Sequence, residues 1–177
     1  KEGQQLSWQS LPQLSVSPIL PANIPIMRAL SLPTLYAISN AAELGTEAFI
    51  KRLEHALRNG LKLLQLREPH LPSDEQLTYT KQVVSLAHCY GACVLVNGDV
   101  QLAQLSGADG VHFTGKQLMA CTAKPEMAWC AASCHSAEEL LHAGRMGFDF
   151  ALLSPVLPTL SHPGMPHLGW HKFANMV

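Results

Sequence analysis

From Thr34 onward, short apolar runs bounded by Gly or Asn alternate with stretches in which apolar residues recur every three to four positions. That alternation is the signature of consecutive βαβ units laid into a parallel sheet. It predicts strands over residues 34–39, 62–67, 93–97, 110–113, 129–134 and 150–154. Between them, Phe49, Leu53, Ala56 and Leu57 make one helical stripe, and Leu77, Val84, Leu86 and Ala87 belong to a second that opens at Ser73-Asp74-Glu75-Gln76. Ser136-Ala137-Glu138-Glu139 opens a third in the same way, and Gly60, Gly107 and Gly147 sit where helices stop and strands resume. Residues 1–33 have another texture. Pro12, Pro18, Pro21, Pro25 and Pro33 rule out a long helix or central strand, while Trp8, Ile19, Leu20, Ile24, Ile26 and Met27 are too apolar for a free tail. The expected organisation is a Pro-rich connector over residues 1–33, ending a preceding domain, and an α/β domain over residues 34–177.

Six strand-helix units at roughly 24 residues each correspond to the compact end of a TIM-type (β/α)8 barrel. A flavodoxin-like open sheet is the competing architecture. Polar residues decide between them, because they fall at strand C-terminal ends in succession: Gln65 and Arg67, Asn97, His112, Ser133 and His135, Ser154. In a barrel those ends converge on one mouth, whereas in an open sheet they would be strung along an edge. The expectation is therefore a barrel with six of its eight units present, cut at the end.

Composition narrows the function. With 12 Lys plus Arg against 13 Asp plus Glu and a formal net charge of -1, the chain lacks the electrostatic footprint of a nucleic-acid binder. No apolar run approaches the roughly 20 residues that span a bilayer. The chain starts at Lys1 without a basic-then-apolar leader and reads as a fragment without an export signal. Five cysteines and no CxxC pair suit reduced thiols in the cytoplasm. The nine histidines form no HxxxH or HExxH pair, so zinc is not expected.

Gln65 and Arg67, two apart on one strand, point to the same side, where a guanidinium suits a phosphate or carboxylate; an ion pair of Arg67 with Glu68 or Asp109 is the competing reading. Asn97-Gly98-Asp99, taken alone, reads as a tight turn with a helix cap at Asn97 or Asp99. His112, flanked by apolar residues, reads as a satisfied core histidine. Ser133 and Ser136 lie at a helix start that suits a phosphate or an ordinary cap. Cys134 and His135, adjacent on a strand, face opposite ways and make no nucleophile–base dyad. The Pro-stiffened loop after residue 154, with Thr159, Ser161 and His162, is of the length and polarity that functional loops have.

As a set, Gln65-Leu66-Arg67-Glu68, Asn97 with Leu102-Ala103, Ala108-Asp109-Gly110-Val111-His112, Ser133 with His135-Ser136 and Glu138-Glu139, and Ser154-Pro155-Val156-Leu157-Pro158-Thr159 resemble the thiamine phosphate synthase and thiazole tautomerase family. The synthases of that family join a pyrimidine pyrophosphate to a thiazole phosphate and release pyrophosphate. The resemblance implies a transferase of thiamine biosynthesis in which Gln65, Arg67 and Asn97 contact the pyrimidine pyrophosphate, Ser133 lies near the reacting centre, and Thr159 and Ser161 hold the thiazole phosphate. Several positions depart from the pattern. The family's two magnesium-binding aspartates fall on Gly98 and Gln117, and two of its lysines fall on Pro69 and His162. Without those carboxylates no metal and no cofactor is expected, and synthase chemistry is expected to be impaired. The Asn97-Gly98 pair is similar to the tautomerase branch, whose proton-carrying histidine falls on Pro155, leaving His162, His135 or His112 as substitutes; Ser133 and His162 are the catalytic candidates.

The opening segment, with Trp8 and Ser17-Pro18-Ile19-Leu20-Pro21-Ala22-Asn23, resembles the end of a Nudix hydrolase of the 8-oxo-dGTP-cleaving type, without the Nudix box itself. The expected function is a synthase-like domain binding a thiazole or pyrimidine phosphate. The alternatives are a non-catalytic module that stabilises or regulates an attached Nudix hydrolase, and a thiazole tautomerase. The expected partners are the small phosphorylated ligand, the attached hydrolase and a second copy in a homodimer.

Overall fold

The computed structural model describes residues 7–159, 164 and 166–177. The chain divides into two compact units, Lys1–Thr34 and Leu35–Val177. In the first, two short 3-10 turns, Leu11–Gln13 and Pro21–Asn23, are followed by helix α1, Ile24–Ser31. Each of the three carries a proline at its first or second position, where a missing N–H costs nothing. Trp8, Leu20, Ile24, Ile26 and Leu30 of this unit are exposed.

The second unit runs β1 Ala37–Ile38, α2 Ala41–Leu44, α3 Thr46–Arg58, β2 Leu63–Leu66, α4 Ser73–Cys89, β3 Cys93–Asn97, α5 Val100–Ser106, β4 Gly110–Phe113, α6 Gly115–Ala120, β5 Trp129–Cys134, α7 Ala137–Arg145, β6 Phe150–Leu153 and α8 Gly169–Ala174. All six strands are parallel and stand in sequence order, β1 to β6. A flat sheet of that order would separate β1 from β6 by about 24 Å at the usual 4.8 Å spacing. Instead the ring of Tyr36, just before β1, packs edge-on against Phe150 of β6 at 5.2 Å between centroids. The sheet is therefore curled into an α/β half-barrel. Its edges at β1 and β6 pair with no further described strand.

Period-two alternation divides the strand residues between two faces. Leu64, Leu66, Val94 and Val96 face one core under the helices, and Val111, Phe113, Cys130, Ala132 and Cys134 face another. The alternate residues Leu63, Gln65, Leu95, His112 and Ala131 are buried on the concave side. Strands β3, β4 and β5 occupy the expected residues. β1 is two residues long rather than six, since its ladder with β2 runs only from Ala37↔Leu64 to Ile38↔Gln65. β2 stops at Leu66, since the Arg67 N–H donates to Ser39 Oγ (2.8 Å) instead of extending the ladder, and β6 stops one residue short of Ser154.

Two aspartates hold the ends of the strands opposite the mouth in the same way. Asp109, immediately before β4, accepts the Val94 N–H of β3 at 2.7 Å, and Asp149, immediately before β6, accepts the Cys130 N–H of β5 at 2.7 Å. Asp149 also pairs with Lys124 at 3.1 Å, its side chain only 3% exposed. Asp149→Asn keeps an oxygen for Cys130 but loses the ion pair. It should therefore lower the urea-unfolding free energy by about 1–2 kcal/mol, less than the loss of a fully buried pair because Lys124 is partly solvated; an unchanged midpoint would show that the pair contributes nothing. No described helix is long and apolar enough to cross a membrane.

Candidate functional site

Several polar residues near the strand C-termini serve the backbone. Asp99 caps α5 by accepting the Leu102 N–H at 2.8 Å, Ser136 caps α7 through the Glu139 N–H at 3.2 Å, and the Glu68 carboxylate accepts the Ala41 and Ala42 N–H groups at the start of α2. Asp109 is engaged with His88 at 2.9 Å. Neither carboxylate weighed as an Arg67 partner is therefore spent on it, and Arg67 stands exposed at the rim.

Inside the curl the picture differs. Asn97 Nδ2 donates to Gln65 Oε1 at 3.3 Å, and Gln65 Nε2 donates to the Tyr36 hydroxyl at 3.2 Å. The Tyr36 hydroxyl lies 3.1 Å from His112 Nδ1, and His112 Nε2 lies 2.9 Å from Ser133 Oγ. Five side chains from β2, β3, β4, β5 and the approach to β1 thus form one continuous chain of hydrogen bonds. Gln65 and His112 are buried, while Asn97 and Ser133, at its ends, are half-buried. Polar groups withdrawn from water in this way are tolerated only when paired, and each member of the network is paired within it. Burial, with the nearby Arg67 charge adding to it, pushes the His112 pKa from 6.5 down to about 4, so the imidazole is neutral at pH 7. Burial likewise pushes the Tyr36 phenol upward and keeps it protonated.

Beside the network, at the C-terminal ends of β2 and β3, a cavity of about 100 Å³ is lined by Arg67, Glu68, Gln76, Tyr79, Asn97 and Asp99 among others. The Tyr79 hydroxyl is buried there with no described hydrogen-bond partner, and burial pushes its pKa up to about 12.

Gly98 and Gln117 touch. Gln117 Nε2 donates to the Gly98 carbonyl at 2.6 Å, while its Oε1 accepts from the Thr114 N–H at 3.0 Å and from the Thr114 hydroxyl at 2.9 Å in a capping box that starts α6. Gly98 has φ +70°, and a Cβ there would lie 3.1 Å from Gln117 Oε1. No group of three or more His, Cys, Asp or Glu suited to a metal ion occurs among the described residues.

Gln65, Asn97 and Ser133 are thus brought together by the fold, with Arg67 at the rim beside them. Thr159 is exposed in the loop after β6. Ser161 and His162 lie outside the described residues. Cys134 is buried behind the sheet with its pKa pushed up to about 11, whereas His135 is exposed and its Nδ1 contacts the Ser154 carbonyl at 2.6 Å. Tyr36 is a site residue that sequence reasoning missed. Its signal is a lone aromatic just before the first strand, two residues before Ile38.

The family model described as thiamine monophosphate synthase matches residues 35–177. A thiamine-phosphate synthase candidate of Aquifex aeolicus is 35% identical over 143 residues, covering 79% of this chain and 76% of that protein. The thiamine-phosphate synthase of Thermus thermophilus is 34% identical over 124 residues, covering 70% of this chain, which spans only 60% of that relative's length. Among solved structures, a thiamine phosphate pyrophosphorylase from Pyrococcus furiosus superposes with a TM-score of 0.64 at 24% identity, covering 80% of this chain and 68% of that one. The last comparison concerns the fold.

Proposed function

The chain belongs to the thiamine monophosphate synthase family, and from that premise we propose that it binds a thiazole or pyrimidine phosphate at the open end of the half-barrel without performing the magnesium-dependent synthase step. The observation that carries this reading is the hydrogen-bonded chain from Asn97 to Ser133, which supplies a planar heterocycle with fixed donors and acceptors beside a guanidinium at Arg67 that suits a phosphate.

The residues present do not fit the cation that the family's synthases use. Gly98 has no side chain, Gln117 has both ends of its amide engaged, and Asp99 is occupied as a helix cap. A hard divalent ion needs oxygen ligands free to turn toward it. Of the described residues placed at the site, Arg67 is the cation that would face the developing charge of a leaving pyrophosphate, which supports a reading of binding without turnover.

Calorimetric titration with thiazole phosphate and with the pyrimidine pyrophosphate tests this. Arg67→Ala should weaken the phosphate ligand by about tenfold, the worth of one charge-assisted contact at an exposed rim. Equal affinity for the variant would remove Arg67 from the site. A second reading, a module that stabilises an attached Nudix hydrolase, draws support from the apolar side chains exposed on the first unit. Equal nucleotide turnover and stability of the hydrolase with and without this chain would leave it nothing to explain.

A further inference from the structure

We propose that the backbone carbonyl of His112 sets the direction of every hydrogen bond in the Asn97–Ser133 network, so that Ser133 faces the mouth as a proton donor and selects a ligand atom that accepts. This deepens the binding reading above and rests on the mouth being the ligand site.

Taken alone, Ser133, His112 and Tyr36 have the spacing of a serine activated by an imidazole base with a third group behind it. Two directions satisfy the side chains equally. In one, protons point from Asn97 through Gln65, Tyr36 and His112 to Ser133; in the other, with both amides turned over, they point from Ser133 back to Asn97. Only the first leaves Ser133 a donor to a ligand. The second spends the Ser133 proton on His112 and makes the oxygen a nucleophile.

A group outside the side-chain network decides. Asn97 Nδ2 also lies 3.4 Å from the His112 carbonyl oxygen, which accepts the Gly98 N–H at 2.9 Å as well. A carbonyl only accepts. Turning the Asn97 amide over would set Oδ1 against that oxygen with no proton between them, so Nδ2 stays where it is. Nδ2 beside Gln65 requires Oε1 there, since two amino groups cannot face one another. Gln65 Nε2 is thereby directed at the Tyr36 oxygen. Tyr36, accepting from Gln65, has one proton left, and donating it to His112 Nδ1 leaves no buried donor unpaired. With Nδ1 accepting, the single proton of the neutral imidazole sits on Nε2 and goes to Ser133 Oγ. The serine hydroxyl hydrogen is then free to turn to the mouth. Ser133 is not activated, and the site favours a ring nitrogen or phosphoryl oxygen beside it over an amino group.

The tautomer of His112 reports the direction without any ligand, so a failure here is distinct from a failure of the binding reading. Nitrogen NMR of the ligand-free chain at neutral pH should show the proton on Nε2; a proton on Nδ1 would overturn the proposal. In Gln65→Glu, at alkaline pH where the introduced carboxylate is ionised and only accepts, Tyr36 must donate backwards and the His112 proton should move to Nδ1. The same tautomer in that variant and the parent chain would equally overturn it. A fluorophosphonate probe supplies a chemical arm on the unaltered chain. Mass spectrometry should find no adduct on Ser133, whereas covalent labelling of Ser133 would mean that His112 is acting as its base.

Discussion

Gly110→Ala is expected to cost about 3 kcal/mol or more of folding stability, at or beyond the upper end of ordinary overpacking. The first added carbon would stand 2.0 Å from the Trp129 carbonyl oxygen, 2.8 Å from its carbonyl carbon and 2.9 Å from its Cβ. The two nearest of those atoms belong to the backbone of the neighbouring strand, paired Gly110↔Trp129 in the ladder, so relief requires the β4–β5 pairing to open. His112, two residues further on, would be carried out of the network. Gly144→Ala is the matched control, because nothing lies within 4 Å of its added carbon and its position is inside α7. There alanine should be neutral or stabilising by up to about 1 kcal/mol. Urea unfolding of the two variants checks both; similar losses, or none at Gly110, would contradict the β4–β5 register.

Acidification is expected to remove a comparable amount. In the unfolded chain His112 takes up a proton near pH 6.5, whereas in the folded chain burial holds it neutral down to about pH 4. The unfolded state therefore binds more protons between those values. The stability tied to His112 is fully present above pH 6.5 and is lost as the pH falls toward 4, by roughly 3 kcal/mol at most. Thermal unfolding across that window, compared with His112→Gln, measures it. The variant should start less stable at neutral pH, having lost one of the network's bonds, and should show a shallower acid slope. Parallel slopes would mean that His112 is hydrated and titrates normally in the folded chain.

The parts of the fold that could be read from the sequence are those where burial on both faces writes a short, mostly apolar run between turn signals. Strands 93–97, 110–113 and 129–134 are of that kind, each with a single polar residue near its C-terminal end, and sit at the expected residues. The apolar Leu35 and Tyr36 extend the strand pattern of β1 in the sequence, but the ladder pairs only Ala37 and Ile38 with β2. Helix α6 opens on a capping box of Thr114 and Gln117, a pattern legible in the sequence, so Gln117 serves the helix start as well as occupying the position of a family carboxylate. Within the site, Gln65, Asn97 and Ser133 were legible as polar residues at strand ends. His112 is the satisfied core histidine that its apolar neighbours predict, and the residues that satisfy it, Tyr36 and Ser133, belong to the candidate site. Tyr36 was not legible. Its contact with His112 and Phe150 depends on the curl of the sheet, and residue spacing along the chain carries no information about that closure.

Calorimetric titration of the chain with thiazole phosphate and with the pyrimidine pyrophosphate, each with and without magnesium, tests the central claim most directly. Binding of at least one ligand, with an affinity that magnesium leaves unchanged and with no thiamine phosphate formed when both are present, is the predicted result. No heat from either ligand at millimolar concentration would contradict the binding site, and binding or thiamine phosphate formation that appears only with magnesium would contradict the reading of Gly98 and Gln117.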